Sequence, residues 1–449
     1  MEEVPVSGGR AHTLVYGVED RLPAGTALLV SFQQVAAMVV GVITPALILS
    51  GILHFSADDT AYLVSMALLA AALGTALQST RIGFVGSGLL SVTGTSFAFL
   101  QPLIVSGLAG GLPLMLGMSL ATVPIQFVLA PFLPKLKKVF TPLVSGIVVV
   151  LIGRSIIPAA MRGIIEPVSA TAPAWAGGAV ALVVMASVLA AQALGRPKTR
   201  MVSILVGVVV GYLICAVGGW LHAPPASKSW ITVPKVLPFA LAFRWDFVIP
   251  FAFIYVVSIL EAMGDITATS QLSGLDTRGP AHWLRIRGGV LGDAVTSAVA
   301  ALIGSFPSTT YAQNNGVIQI TGVASRHIGK IMAAILAILG LFPVVARWVT
   351  AMPPPVLGGM ALLLFGLVAV AGLRLIAHAG LDHRNSLIVA VSLGIGLGAP
   401  TQKEWLDKLP GLWKTLLESG VSAGGIAALI MNAVLPGGHP KEPAVPDKI

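Results

Sequence analysis

The sequence predicts an all-α polytopic membrane protein whose fourteen spans form two inverted repeats of seven. Three observations lead there: the composition, the spacing of the apolar runs and the distribution of Lys and Arg. Of the 449 residues, 56% are hydrophobic and 10% charged, with a mean hydropathy of +0.91, whereas a soluble domain carries roughly a quarter charged residues. A water-soluble fold cannot cover that much apolar surface. Single cores also stop growing at about 250–300 residues, yet apolar runs recur here from end to end. Lipid is the solvent that fits.

At about 20 apolar residues per crossing, spans fall near 25–51, 60–79, 84–106, 111–134, 141–161, 174–194 and 201–222. They recur near 246–266, 288–304, 306–325, 328–350, 355–373, 385–400 and 417–435. Lys and Arg test this count, because they concentrate on cytoplasmic loops. With both termini inside, 18 of the 27 basic residues lie on the cytoplasmic side, among them Lys135, Lys137, Lys138, Arg196, Lys198, Arg200, Arg278, Arg285, Arg287, Lys441 and Lys448. The rest gather mainly in external loops at 222–245 and 400–416. A repeat with an odd number of spans sets its two copies in opposite orientations. The first apolar run is far longer than the ~7–15 residue core of a signal peptide, so no cleaved leader is expected. Cys215, inside an apolar run, reads as packing. The net charge of +9 comes from short basic clusters without interleaved aromatics, a pattern of membrane topology and not of nucleic-acid binding.

Two spans are interrupted in the same way. Thr95-Ser96-Phe97-Ala98 in the third follows Gly86, Gly88 and Gly94, and Thr309-Thr310-Tyr311-Ala312 in the tenth follows Gly304 and Pro307. β-Formers after breakers predict an extended segment leading into a half-helix. Non-helical backbone at membrane depth survives only where protein or a water-filled cavity satisfies its polar groups, so matched breaks mark a binding site.

Of the 18 acidic residues, Glu261, Asp265 and Asp293 interrupt apolar helices, where a charge costs about 3 kcal/mol on insertion scales and is functional by default. Glu261 and Asp265 are four residues apart, hence on one helix face; two such carboxylates suit binding a cation or holding a proton. The alternative is structural: capping of broken helices, for which Asp293, near a helix start after Gly292, is placed. Gln313-Asn314-Asn315-Gly316 follows the second break, with Thr321-Gly322 closing the run. A carboxamide offers a donor and an acceptor on one plane, the geometry that reads a nucleobase edge; the alternative is helix packing through interhelical hydrogen bonds. Gly322 to Lys330 fails as a phosphate loop, since six residues separate Gly322 from Gly329 and Ile331 stands where Ser or Thr is required. No dinucleotide fingerprint, His-Glu-x-x-His, paired cysteine or nucleophile with a base and orienter is present. Neither a catalytic residue nor a metal is therefore expected.

The run Gln313-Asn314-Asn315-Gly316-Val317-Ile318-Gln319-Ile320-Thr321-Gly322 resembles the signature of the nucleobase–ascorbate transporters. Thr44-Pro45-Ala46-Leu47, Gly94-Thr95-Ser96-Phe97 and Glu261-Ala262-Met263-Gly264-Asp265 extend the resemblance over essentially the full chain. It implies a core domain (25–134 and 246–350, spans 1–4 and 8–11) and a gate domain (135–222 and 355–435, spans 5–7 and 12–14). A cytoplasmic segment 1–24 and tail 436–449 would flank them, and the gate would form a homodimer. Substrate would sit between two short antiparallel strands in spans 3 and 10. Glu261 and Gln313 would hydrogen-bond the base, Phe97 would pack on its ring, and Ala312, Asn314 and Tyr311 would complete the contacts. Gln34, Ser96, Asn315 and Thr321 would line the site, and Glu261, Asp265 and Asp293 would couple transport to H+, with no other cofactor.

Relatives that move xanthine or uric acid tend to carry Gln where Gln313 stands, and those that move uracil carry Glu. The runs at 86–90 and 94–99 are similar to bacterial xanthine permeases, which implies an inner-membrane purine symporter working by an elevator movement. Two positions depart from the pattern: Gln34 replaces the usual His, and Gly322 stands where some relatives have a basic residue. The competing expectations are a permease for uracil or another nucleobase, and an anion transporter on the same scaffold.

Overall fold

The computed structural model describes residues 3–4, 12–135, 141–169, 171–196, 199–200, 202–221, 230–277 and 279–436. The predicted tail beyond 436 and the basic residues Arg10, Lys137, Lys138, Lys198, Arg278, Lys441 and Lys448 lie outside them. A short hairpin, β1 (Glu3–Val4) and β2 (His12–Thr13), precedes the helices. The first half holds α1 (Ala24–Leu53), α2 (Ala57–Thr80), strand β3 (Thr93–Thr95), α3 (Leu100–Thr122), α4 (Pro124–Leu129), α5 (Pro142–Ile165), α6 (Ala176–Ala193) and α7 (Ser203–Val217). The second half holds α8 (Val248–Leu272), α9 (Pro280–Leu302), strand β4 (Ser308–Thr310), α10 (Gln313–Thr321), α11 (Arg326–Leu341), α12 (Pro343–Thr350), α13 (Pro354–Ala379), α14 (His383–Gly398), α15 (Lys403–Leu406), α16 (Gly411–Glu418) and α17 (Gly420–Val434).

Local chemistry sets the boundaries. Ser56 caps α2 by accepting from Asp59 N at 3.1 Å, with Asp58 and Asp59 in the first turn, where carboxylates complement the helix dipole. Gly110 and Gly111 leave helical geometry, Gly111 at φ 64°, and Pro113 follows; the chain breaks there, at the predicted boundary between the third and fourth spans.

Among the described residues, seven helices are long and apolar enough to cross a bilayer, and an eighth is added if α16 and α17, bent by 94°, form one span. The predicted runs all meet helices. Several are too short to qualify alone, since the 9 residues of α10 rise only about 14 Å against a hydrocarbon thickness of about 30 Å.

The helices pack in two sets. In one, α2 lies along α11, α1 and α9, and α8 packs on α9. In the other, α5 lies along α13, α6 along α7, and α14 along α17. The α5–α13 contact is made by glycine: a Cβ at Gly146 would stand 2.8 Å from Gly372 O, and one at Gly358 would stand 2.7 Å from Ala160 O. Only hydrogen at these positions lets the backbones approach so closely.

β3 and β4 pair antiparallel in the first set, with Thr93 opposite Thr310, Gly94 opposite Thr309 and Thr95 opposite Ser308. The strands begin earlier than the predicted extended stretches, two residues in the first and one in the second. Ser96 N donating to Pro307 O and Tyr311 N donating to Val92 O, both at 2.8 Å, end the ladder. Beyond them the chain turns helical, at Phe97–Phe99 on one side and at α10 on the other.

Candidate functional site

The two strands end where two helix starts face each other, and the side chains singled out in the sequence sort into two groups around that junction. Most are already engaged. Asp293 of α9 is fully buried; its Oδ1 accepts from Gln78 Nε2 at 2.9 Å and its Oδ2 from Thr310 N at 3.3 Å. Asp265 of α8 accepts from Thr310 Oγ1 at 3.4 Å. Both carboxylates thus brace β4. Asn314 donates from Nδ2 to Leu90 O, Asn315 Oδ1 accepts from Thr269 Oγ1 at 2.7 Å, and Thr321 Oγ1 donates to Val317 O at 2.8 Å. Tyr311 Oη donates towards Thr95 O (2.8 Å) and Gly41 O (3.1 Å).

A second group is not engaged. Among the described residues no hydrogen bond or ion pair occupies the Glu261 carboxyl or the Gln313 carboxamide; Glu261 is half-buried and Gln313 exposed. Ala312, also exposed, has a backbone N–H without a backbone acceptor at the start of α10. The buried Gln34 carboxamide and Ser96 hydroxyl likewise have no hydrogen-bond partner among the described residues. Phe97 is half-buried, stacked on Tyr311 at 6.1 Å and 20° and meeting Phe365 of α13 edge-on at 5.3 Å. The elements that carry these unengaged groups and the Phe97 ring meet around the paired strands.

The electrostatics are one-sided. Glu261, Asp265 and Asp293 are near enough to feel one another's charge, and among the described residues no basic side chain pairs with any of them. Neighbouring carboxylates of this kind repel when charged and share protons readily. No group of three or more His, Cys, Asp or Glu able to hold a metal occurs among the described residues.

Sequence reasoning missed several residues. Gln78 of α2 donates to Asp293 and to Gly289 O (2.9 Å) and accepts from Ser87 N (3.0 Å). Its amide stands at the polar end of an apolar run and not inside one, as the acids do, so it gave no comparable signal. Thr75 accepts from Thr93 N at 3.2 Å, and Ser297 Oγ accepts from Ser308 N at 3.0 Å. Phe365, one aromatic in an apolar run, carried no signal.

The family model Xan_ur_permease, described as a permease family, matches residues 25–405. The chain is 39% identical over 447 residues to the xanthine permease XanQ of Escherichia coli (strain K12), covering 96% of each protein. It is 36% identical over 436 residues to the putative purine permease CPE0397 of Clostridium perfringens, covering 94% of this chain and 93% of that protein. In three dimensions it resembles the transmembrane domain of the cyanobacterium bicarbonate transporter BicA, with a TM-score of 0.60 at 14% identity over 92% of this chain and 99% of that one. Murine Slc26a9, an anion transporter solved in the inward-facing state, gives 0.63 at 12% identity over 92% and 69%. The solved structures share the fold alone; the family match and the identity over nearly the full chain show that this is a membrane permease belonging to the nucleobase–ascorbate transporter family.

Proposed function

We propose that this permease is a proton-coupled symporter of purine nucleobases, taking up xanthine first, with uric acid as the second candidate substrate, across the inner membrane by an elevator movement. The observation that carries the reading is the pair of unengaged groups, Glu261 and Gln313, on helices that meet each other, with the Phe97–Phe99 turn against the helix of Glu261, while Asp265, Asp293, Asn314 and Asn315 are tied down. The Gln313 carboxamide can donate and accept along a purine edge, Glu261 can take a ring N–H, and Phe97 can cover the ring. Protonation of Glu261 removes a charge and adds a donor, so proton and substrate stabilise each other's bound state. Asp265 and Asp293 then transmit the change to β4.

In this reading the runs make fourteen crossings in a 7+7 inverted repeat with both termini cytoplasmic. The strand-bearing set of helices is the core that slides. The set joined by the glycine contacts of α5 and α13 is the gate and the homodimer surface. Phe97 against Phe365 is a contact between the two. An anion transporter is the rival reading. Three carboxylates with no basic partner among the described residues oppose an anion there, and competition by sulfate or bicarbonate would favour it.

The test is uptake of radiolabelled xanthine by cells expressing the chain, with excess unlabelled uric acid, uracil or hypoxanthine, alongside Glu261→Gln. Uptake blocked by uric acid, dependent on an imposed pH gradient and lost in the variant is expected. No xanthine uptake despite membrane expression rejects the substrate. Block by uracil means that Gln313 does not select purines.

A further inference from the structure

The residues ahead of α1 do not simply lead into it. Residues 14–20 run parallel to residues 322–326, the loop that joins α10 to α11. Val15 N and Tyr16 N donate to Gly322 O at 2.8 and 3.1 Å, and the loop answers with Ala324 N to Tyr16 O at 2.9 Å and Arg326 N to Val18 O at 3.0 Å. Ser325 Oγ donates to Asp20 O at 2.5 Å, and Arg326 pairs with Glu19 at 2.7 Å. The side chains alternate as on a strand: Leu14, Tyr16 and Val18 pack inward, while Val15 is exposed.

What this pairing holds is the helix of Gln313. With 9 residues, α10 is below the ~12–15 at which a helix stands by itself, so its place depends on what grips its ends. At the first end Tyr311 N donates to Val92 O and Asn314 Nδ2 to Leu90 O. At the far end α10 stops on Gly322 in the left-handed region, at φ 67°. Among the described residues, every hydrogen bond that leaves the 322–326 loop for a distant part of the chain goes to residues 15–20.

The same segment also reaches the surroundings of Glu261. Val18 packs against the apolar cluster in which Ile259, Ala262 and Met263 of α8 flank that carboxyl in sequence, and Leu260 packs against it too. Leu14, Tyr16 and Leu22 rest on the main core, and the chain then enters α1 through Pro23. The ion pair is the weaker tie: the Glu19 side chain is 69% exposed, and exposed pairs contribute little. The backbone bonds and the inward side chains therefore carry the attachment.

We propose that residues 14–20 are a positioning strap for the substrate site: by tying the far end of α10 to the cluster around α8, they set the separation of Gln313 from Glu261. Both side chains must reach one planar ring at hydrogen-bond distances of about 2.7–3.2 Å, a tolerance that a short helix free at one end does not keep. The strap touches only the strand-bearing set of helices, so it travels with the site and does not gate it. Its residues act through α10 and touch no substrate.

The inference rests on the proposed purine transport, and hydrogen exchange on the purified full-length protein separates the two because it needs no substrate. Val15→Pro deletes one donor of the pairing at a position whose side chain is exposed, and Val15→Ala keeps that N–H. Backbone amides of residues 313–326 should exchange about fivefold faster in Val15→Pro than in Val15→Ala. The KM for xanthine uptake should rise about fivefold, the equivalent of about 1 kcal/mol, with the maximal rate retained and with excess uracil now competing. A lower maximal rate at unchanged KM and unchanged competition would mean that the segment only stabilises the fold, and overturns the strap; so does unchanged exchange. Should Val15→Pro fail to reach the membrane, Tyr16→Ala, which keeps the donors and loosens the segment from the core, must raise KM in the same direction, and an unchanged KM there overturns the strap as well. No xanthine uptake by the natural chain rejects the transport reading, and the exchange rates then decide by themselves whether residues 14–20 hold α10.

Discussion

The two strands at the centre of the molecule are equal in length and opposed in direction, yet they are held by different chemistry. β3 rests on a neutral hydroxyl, Thr75 Oγ1, which accepts from Thr93 N. β4 rests on two carboxylates, Asp293 at Thr310 N and Asp265 at Thr310 Oγ1, and on Ser297 at its start. The supporting helices meet where Gln78 of α2 donates to Asp293 of α9, so an amide from one half of the chain touches an acid from the other. A hydroxyl keeps its charge at any pH, whereas a carboxylate changes both charge and donor count when it gains a proton. A proton arriving among these acids is therefore felt directly at β4 and only through the ladder at β3. That asymmetry would give two similar half-sites separate tasks, one shaping the site and the other reporting its protonation.

The largest effect should come from removing the charge that braces β4. In Asp293→Asn one carboxylate oxygen becomes an amide donor, while Gln78 Nε2 and Thr310 N, both donors, still face it. A buried donor left against a donor costs about 1–3 kcal/mol, and the loss falls on the strand that carries the coupling. Uptake at background with protein still present in the membrane is expected. Near-normal uptake would mean that the acid is only a helix brace and that the two strands are equivalent.

An intermediate effect is expected from crowding β3. A Cβ at Gly94 would stand 2.6 Å from Tyr311 Cζ and 2.8 Å from its Oη, closer than such atoms approach, so Gly94→Ala must displace the tyrosine. The displaced ring loses its bonds to Thr95 O and Gly41 O and its stack on Phe97. A fall in uptake of about tenfold, carried mainly by KM, would be the sign of a misplaced aromatic wall, since about 1.4 kcal/mol is a factor of ten. An unchanged KM would show that Tyr311 does not set the position of Phe97.

Much of this arrangement was legible in the sequence because a membrane makes irregularity conspicuous. Glycine or proline followed by threonines inside an apolar run stands out, as do Glu261 and Asp265 four residues apart. Direction was not legible. Gln313, Asn314 and Asn315 are the same kind of residue in one run, but successive residues on a helix turn by about 100°. Gln313 consequently faces open space while Asn314 reaches Leu90 O and Asn315 meets Thr269. Gln78 stood just before Ser79 and Thr80, where a polar residue reads as the end of a span. Its bonds to Asp293 and Gly289 appear only with the approach of α9, and its third is accepted from Ser87 N in the loop after α2. The strand boundaries depended on where Ser96 and Tyr311 close the ladder, a long-range pairing that no local pattern specifies.

The smallest effect, and the sharpest test of the asymmetry, belongs to Thr75→Val. Valine keeps the shape of threonine and removes the acceptor for Thr93 N, a neutral bond whose net contribution is about 1 kcal/mol. The rest of the ladder, including Ser96 N to Pro307 O, stays in place. Uptake should fall no more than about fivefold, and the rate plotted against pH should run parallel to that of the natural protein. Gln78→Leu, which strips the Asp293 carboxylate of a donor, should displace the same curve along the pH axis. Because Thr93 lies directly opposite Thr310, Thr75→Val disturbs β4 as closely as any neutral change at β3 can. A displaced curve in Thr75→Val would therefore place β3 inside the proton-sensing unit, and the division of labour between the strands would fall.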